Sequence, residues 1–165
     1  MTDDIDFPAV DAITIGTIGE PGQRVFYLQV WVAGLVRTLK MEKQQVAALA
    51  IALDELLSDL PPTEAAEPPD LLDPGQPDWV IGSMALTSFD DAEQRAMLIL
   101  TEFVTDEDQD VTTARIGLTL PQLACLAVLG QELVEAGRPP CPLCGFPLEV
   151  AGHSCPKTNG SAAPH

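Results

Sequence analysis

The chain has 165 residues, of which 46% are hydrophobic, and its 8 Lys and Arg face 25 Asp and Glu for a formal charge of -17. That length suits one ordinary domain or two small ones, and the hydrophobic fraction excludes a disordered acidic protein. The negative excess repels phosphate backbones and anionic membranes, and no cluster among the scattered Lys and Arg opposes it, which argues against nucleic acid as a partner.

The N-terminal stretch MTDDIDFPAVDA is acidic and lacks the basic and apolar regions of a signal peptide. No apolar run approaches the roughly 18 residues of a membrane span. Of four cysteines, three stand at metal-ligand spacing, which suits a reducing compartment better than a disulfide scaffold. The expected location is the cytoplasm, with no membrane association.

Alternation predicts a strand over Ala12 to Ile18, and Gly19-Glu-Pro-Gly22 reads as a turn. Val25 to Val32 reads as a second strand, and Leu35 to Met41 as a third, after a turn near Ala33-Gly34. A helix follows from about Lys43 to Leu60, with an apolar stripe of Val46, Leu49, Ala50, Leu53, Leu57 and Leu60. Residues 61–77 are rich in proline and acids, which bars a helix interior or central strand and reads as an extended linker between two halves. Strands are then predicted over Trp79 to Thr87, Arg95 to Val104 and Thr112 to Leu118. The last helix is predicted from about Leu120 to Glu135, opened by a capping box of Thr119 and Gln122.

The second half thus has the same order of elements as the first. Gln23-Arg24 matches Gln94-Arg95, Gln45-Val46-Ala47 matches Gln122-Leu123-Ala124, and Leu49-Ala50 matches Leu126-Ala127. The expected fold is α+β. Two β-β-β-α units (1–60 and 78–137) form an antiparallel sheet with two helices on one face, followed by a zinc-binding tail over 138–165. Each helix carries a second apolar face, Ala48, Ile51 and Ala52 in one and Cys125, Val128 and Leu129 in the other. Such a face is covered in most folds, here by the opposite helix across a pseudo-twofold axis or by a second subunit, so a homodimer is one expectation.

Beyond Gly137 and Pro139-Pro140, the stretch CPLCGFPLEVAGHSCP contains Cys141, Cys144, His153 and Cys155. Three thiols and one imidazole make a full tetrahedral set for one Zn²⁺, with no position left open for a substrate. A redox dithiol and a Cys–His nucleophile are competing readings; Pro147 and the lack of a following helical pattern weigh against the first. Cys125 reads as a small buried apolar residue. The tail is too short to fold on apolar burial, so the metal would supply its folding free energy.

No catalytic signature stands elsewhere: both histidines, His153 and His165, lie in the tail, and the acids cluster in turns and linkers. Gly16 to Gly22 reads as a hairpin, because no helix N-terminus follows it to cradle phosphate. Gln29, Arg37, Lys40, Arg95, Glu102 and Arg115 could share one sheet face and bind an anionic ligand; a solvated face with ordinary charge pairs is the simpler alternative. The residues favour a non-enzymatic protein-interaction module. An enzyme or small anionic-ligand binder, with its site on the sheet face or between the units, is the alternative.

The combination of Gly19-Glu-Pro-Gly-Gln-Arg24, Glu42-Lys-Gln-Gln-Val46, Gly137-Arg-Pro-Pro-Cys-Pro-Leu-Cys-Gly145 and Gly152-His153 with Cys155-Pro-Lys-Thr-Asn-Gly160 resembles an uncharacterised actinobacterial family of short acidic proteins with a zinc-ribbon-like tail. The resemblance spans nearly the whole chain. It implies a cytoplasmic protein with no assigned activity, encoded near a histidine-phosphatase-like and a phosphoinositide-kinase-like protein, and hence a shared complex or pathway with them. The chain has neither an Arg-His-Gly phosphatase signature nor a Gly-rich kinase loop.

Overall fold

A computed structural model describes residues 4–20, 22–136, 153–154 and 162–163. The strands are β1 (Ile5–Phe7), β2 (Ala12–Ile18), β3 (Val25–Val32), β4 (Leu35–Met41), β5 (Trp79–Leu86), β6 (Ala96–Glu102), β7 (Thr113–Leu118), β8 (His153–Ser154) and β9 (Ala162–Ala163). The helices are α1 (Lys43–Ser58) and α2 (Leu120–Ala136). The fold is mixed α+β: one seven-stranded sheet in the order β1-β7-β6-β5-β4-β3-β2, with both helices packed on it and on each other.

The sheet is not antiparallel throughout, which corrects the expectation from the sequence. β4 runs parallel to β5 through Leu39–Trp79 and Lys40–Val80, and β1 runs parallel to β7 through Ile5–Ala114, Asp6–Arg115 and Phe7–Ile116. The reason is connectivity. A helix separates β4 from β5, and a crossover of that kind returns the chain in the same direction. The remaining pairs of this sheet are consecutive strands joined without a crossover helix, and they are antiparallel. One turn, between β3 and β4, places Ala33 and Gly34 at φ of 51° and 80°, the left-handed pair that matches the twist of a two-residue hairpin.

β1 and β2 lie at opposite ends of the strand order, yet only residues 8–11 join them. A flat sheet of seven strands would set its edges about 29 Å apart, at roughly 4.8 Å per strand. The connection from Phe7 to Ala12 reaches at most about 18 Å. The sheet therefore curls until residues 5–18 act as one long bridging strand, paired first with β7 and then with β3. β5 bridges in the same way: Trp79 and Val80 pair with β4, and from Ile81 onward the strand pairs with β6, with a bulge between Ile81 and Ser83. At the first seam Gly117 is needed, because a Cβ there would run into the backbone carbonyl of Pro8.

The core lies inside the curl. Ile13, Ile15, Phe26, Leu28, Val30, Leu39, Met41, Ile81, Leu98, Leu100, Ile116 and Leu118 alternate inward and meet Val46, Leu49, Leu53, Leu123 and Leu126 from the helices. The helices touch through small residues: a Cβ on Gly130 would lie 3.1 Å from that of Ala50. Ile51 and Val128 are not part of this contact. They are 62% and 48% exposed, so the second apolar faces do not pack helix against helix within the chain.

Residues 61–77 hold no helix or strand, in keeping with their prolines, but they lie against the protein. Gln29, 1% exposed on the outer side of β3, holds them through its amide. Its Oε1 accepts from Leu72 N–H at 2.9 Å, and its Nε2 donates to the Leu72 carbonyl at 3.0 Å and to Thr38 Oγ1 at 3.3 Å. The side chain thus serves as a one-residue strand partner for a segment that cannot pair by itself. Leu71 rests on Gly16, where a Cβ would come within 2.8 Å of it. Asp78 closes the strap on β4: its N–H donates to the Thr38 carbonyl at 2.8 Å, and its Oδ2 accepts from Thr38 N–H at 2.9 Å.

Candidate functional site

Cys141, Cys144 and Cys155 lie outside the described residues, as does the side chain of His153. The backbone of His153 forms the β8–β9 ladder, opposite Ala163. The donor set itself fits zinc: thiolates and imidazole match a borderline-soft ion, and four of them complete a tetrahedron. Among the described residues no group of three or more His, Cys, Asp or Glu stands close enough to hold a metal ion. The remaining cysteine, Cys125, is buried under the strap beside Ala66, and burial pushes its thiol above the ordinary value. A raised thiol pKa lowers the thiolate fraction, so this residue is a poor nucleophile and a structural one.

A wide concavity opens at one mouth of the curled sheet, where β1, β4, β5 and β7 begin and β6 ends. It measures about 800 Å³ and is lined by Asp4, Asp6, Phe7, Arg37, Asp78, Trp79, Glu102 and Thr112. Three of the acids are held by main chain or a neighbour. Asp4 Oδ1 accepts from Thr113 N–H at 3.0 Å, Glu102 Oε2 from Thr112 N–H at 3.1 Å, and Asp78 Oδ1 lies 3.4 Å from Arg37 Nη1. The Arg37–Asp78 pair is half open to solvent, where such a pair contributes little. Four carboxylates against one guanidinium make this mouth attractive to cations and repellent to anions.

The polar residues grouped from the sequence do not share a face. Gln29 pairs with Thr38, Lys40 with Tyr27 and Arg115 with Ile99, on the outer side. Arg37 is the register partner of core Val30, and Glu102 of core Ile81, so both belong to the inner side at strand ends and line the mouth. Arg95 sits apart in the Asp90–Arg95 turn, where a smaller hollow of about 360 Å³ includes Glu93 and Met97. The sequence reading gave Asp4, Asp6 and Asp78 no site role, because acids in short terminal and linker segments carry no periodic signal, and it took Trp79 only as the start of a strand. Among the described residues, neither hollow is lined by an imidazole, a thiol or a paired nucleophile and base.

Both helix starts are clamped alike. Glu42 N–H donates to Gln45 Oε1 at 2.8 Å, and Gln45 Nε2 donates to the carbonyls of Ile81 at 2.9 Å and Gly82 at 3.3 Å. Thr119 N–H donates to Gln122 Oε1 at 3.0 Å, and Gln122 Nε2 donates to the Val10 carbonyl at 3.0 Å. Each glutamine thus closes its own helix and reaches the bend of a bridging strand: α1 to β5, and α2 to the segment before β2.

No helix of the described residues is long and apolar enough to cross a membrane. No curated protein and no solved structure matches the chain. A family model does match, over residues 5–155, which takes in the whole sheet, both helices and all four candidate zinc ligands. The chain belongs to DUF3090, a family of proteins of unknown function.

Proposed function

We propose that this chain is a zinc-binding, non-enzymatic interaction protein of the cytoplasm. A duplicated β-β-β-α scaffold carries a C-terminal zinc-ribbon-like tail that presents a docking element to another protein. The observation that carries the reading is the ligand set Cys141, Cys144, His153 and Cys155 within fifteen residues, complete and without an open position. The absence of any histidine before residue 153 and the burial of Cys125, which raises its thiol pKa, support a binding role over catalysis. Duplication is supported by the matched glutamine clamps and by the two strands that bridge neighbours in the same manner. The partners that fit are a histidine-phosphatase-like or phosphoinositide-kinase-like protein, or a second copy of the chain.

The alternative, a small-ligand site, has one observation in its favour: the mouth lies where the two halves meet at β4 and β5. Its four carboxylates turn that reading from an anionic ligand to a cationic one.

Zinc decides the main reading. Protein purified without chelator should carry one zinc per chain, and Cys144→Ser should lose it. The cobalt-substituted chain should show thiolate-to-metal charge transfer. A metal-free purified chain, or cobalt spectra without thiolate bands, overturns the proposal. With zinc present, wild type but not Cys144→Ser should retain the phosphatase-like or kinase-like protein.

A further inference from the structure

Among the described residues, the buried polar side chains are Thr14, Gln29 and Thr38, at 3%, 1% and 8% exposure. They form one row. Thr14 pairs with Gln29 and Gln29 with Thr38, across β2, β3 and β4, on the side of the sheet away from the core. The rows beside it, Ala12–Trp31–Val36 and Gly16–Tyr27–Lys40, set an aromatic residue roughly 7 Å to either side of Gln29 along β3. This face thus has a polar floor bordered by Tyr27 and Trp31, and the strap lies on it. Two contacts seat the strap. Gln29 holds both main-chain groups of Leu72, and Leu71 takes the space left by the missing side chain of Gly16. The seated segment, Pro68-Pro-Asp-Leu-Leu-Asp-Pro74, is kept extended by its prolines, and its Asp70, Leu72 and Asp73 stay exposed.

A purely structural cover would bury apolar surface against apolar surface. Here the sheet keeps a polar row whose central amide needs a main-chain N–H and C=O from outside the sheet. A main-chain clamp on one residue, a socket for its neighbour, aromatic borders and a proline-stiffened occupant are the elements of extended-peptide recognition. We propose that the outer face of β2, β3 and β4 is a peptide-binding groove, filled in the resting chain by its own strap. The partner it fits is a protein with an exposed, extended segment that takes the strap's place. That segment has an apolar residue for the Gly16 socket, then a residue other than proline under the Gln29 amide, with prolines on both sides. The strap is tethered at both ends, to α1 and to β5, so it competes at an effective concentration on the order of millimolar and acts as an autoinhibitory contact. The groove uses no metal and no residue of the tail, so it stands or falls apart from the zinc reading.

A fluorescent peptide of residues 66–76, added to the full chain and followed by anisotropy, tests the groove. Leu72→Pro removes the N–H that Gln29 accepts, which frees the strap and leaves the floor intact. This variant should bind the peptide at least about tenfold more tightly than wild type, whose own strap competes. Gln29→Ala also frees the strap but removes the reader, so it should gain no affinity, and adding it to Leu72→Pro should abolish the gain. Leu71→Ala empties the Gly16 socket and keeps every main-chain bond. It should give a smaller gain in the same direction, and it decides the matter if Leu72→Pro does not fold. A peptide that keeps Pro68, Pro69, Leu71 and Pro74 with alanine elsewhere should bind comparably, since the groove reads that pattern. No gain in the folded strap variants, a gain that survives loss of Gln29, or failure of the alanine peptide would each overturn the proposal.

Discussion

The two helix–strand grooves lie beside similar glutamine clamps and differ in their cover. At α2 and β2, a proline-rich strap lies across the groove, buries Cys125 and is held by Gln29. At α1 and β5, the corresponding Ala48 is open. A helix with apolar residues on two sides needs cover on both, and the other helix supplies only one. At Cys125 that further cover is irregular chain, Ala66 and Glu67 of the strap. A strap of this kind has few backbone partners of its own, so at Leu72 a buried side-chain amide takes the place of a strand.

The largest effect should come at the seams that hold the bridging strands. Gly117→Ala drives a Cβ into the Pro8 carbonyl, and only backbone movement relieves it, so β1 should leave β7. A loss of about 3 kcal/mol is expected, at the top of the range for overpacking. At the other seam, a Cβ on Gly82 would lie 2.9 Å from the Phe103 Cα, and the cost of Gly82→Ala should be nearer about 1 kcal/mol. Chemical denaturation of both variants orders the two seams; equal losses would mean that the first is no tighter than the second.

Next is the strap. Gln29→Ala removes three hydrogen bonds and leaves Leu72 and Thr38 without their partner, for a loss of about 2 kcal/mol. The loss should be local before it is global. Peptide-resolved alkylation should find Cys125 reactive in Gln29→Ala under conditions where it is inert in wild type, since the strap covers it. An unreactive Cys125 would show that cover at this groove does not depend on the amide. The clamps come third: Gln45→Ala and Gln122→Ala should each cost about 1 kcal/mol, as for loss of a helix cap. Similar losses would support the correspondence of the two halves, and a one-sided loss would break it.

The elements were legible in the sequence because alternation and helical spacing are local properties. Ala12–Ile18, Val25–Val32 and Leu35–Met41 are found as expected, and the remaining ends shift by only one or two residues, as where Arg95–Val104 becomes Ala96–Glu102. What joins distant segments was not legible. β1 is three residues long and pairs with β7 more than a hundred residues away, so no periodicity announces it. The parallel β4–β5 contact depends on two residue pairs and on where α1 returns the chain. Gln29 reads as a solvated polar position on an alternating strand, and only the arrival of Leu72 makes it a buried latch. The matched Gln23-Arg24 and Gln94-Arg95 do not hold equivalent places: Phe26 points inward two residues after Arg24, while Ala96 does so one residue after Arg95. The glutamines at the helix starts were the better guide, since Gln45 and Gln122 make the same two kinds of bond.

The smallest effect is expected where the sequence placed a large one. Ile51 and Val128 belong to the second apolar faces, and a charge there should unfold the protein if the helices met through them. Both side chains point to solvent, 62% and 48% exposed, while the helices meet at Ala50 and Gly130. An aspartate at either site removes little buried surface and strands no polar group, so Ile51→Asp and Val128→Asp should each lie within about 0.5 kcal/mol of wild type. The same pair also reports on a homodimer. A partner copy covering this face would convert each exposed side chain into a buried one, and its aspartate variant would then halve the mass in solution. Melting and light scattering together separate the cases. Unchanged melting with unchanged mass leaves this face free in the protein, and unchanged melting of the monomer with a halved mass makes it an interface. A large loss of stability at constant monomer mass would contradict the helix contact through Ala50 and Gly130.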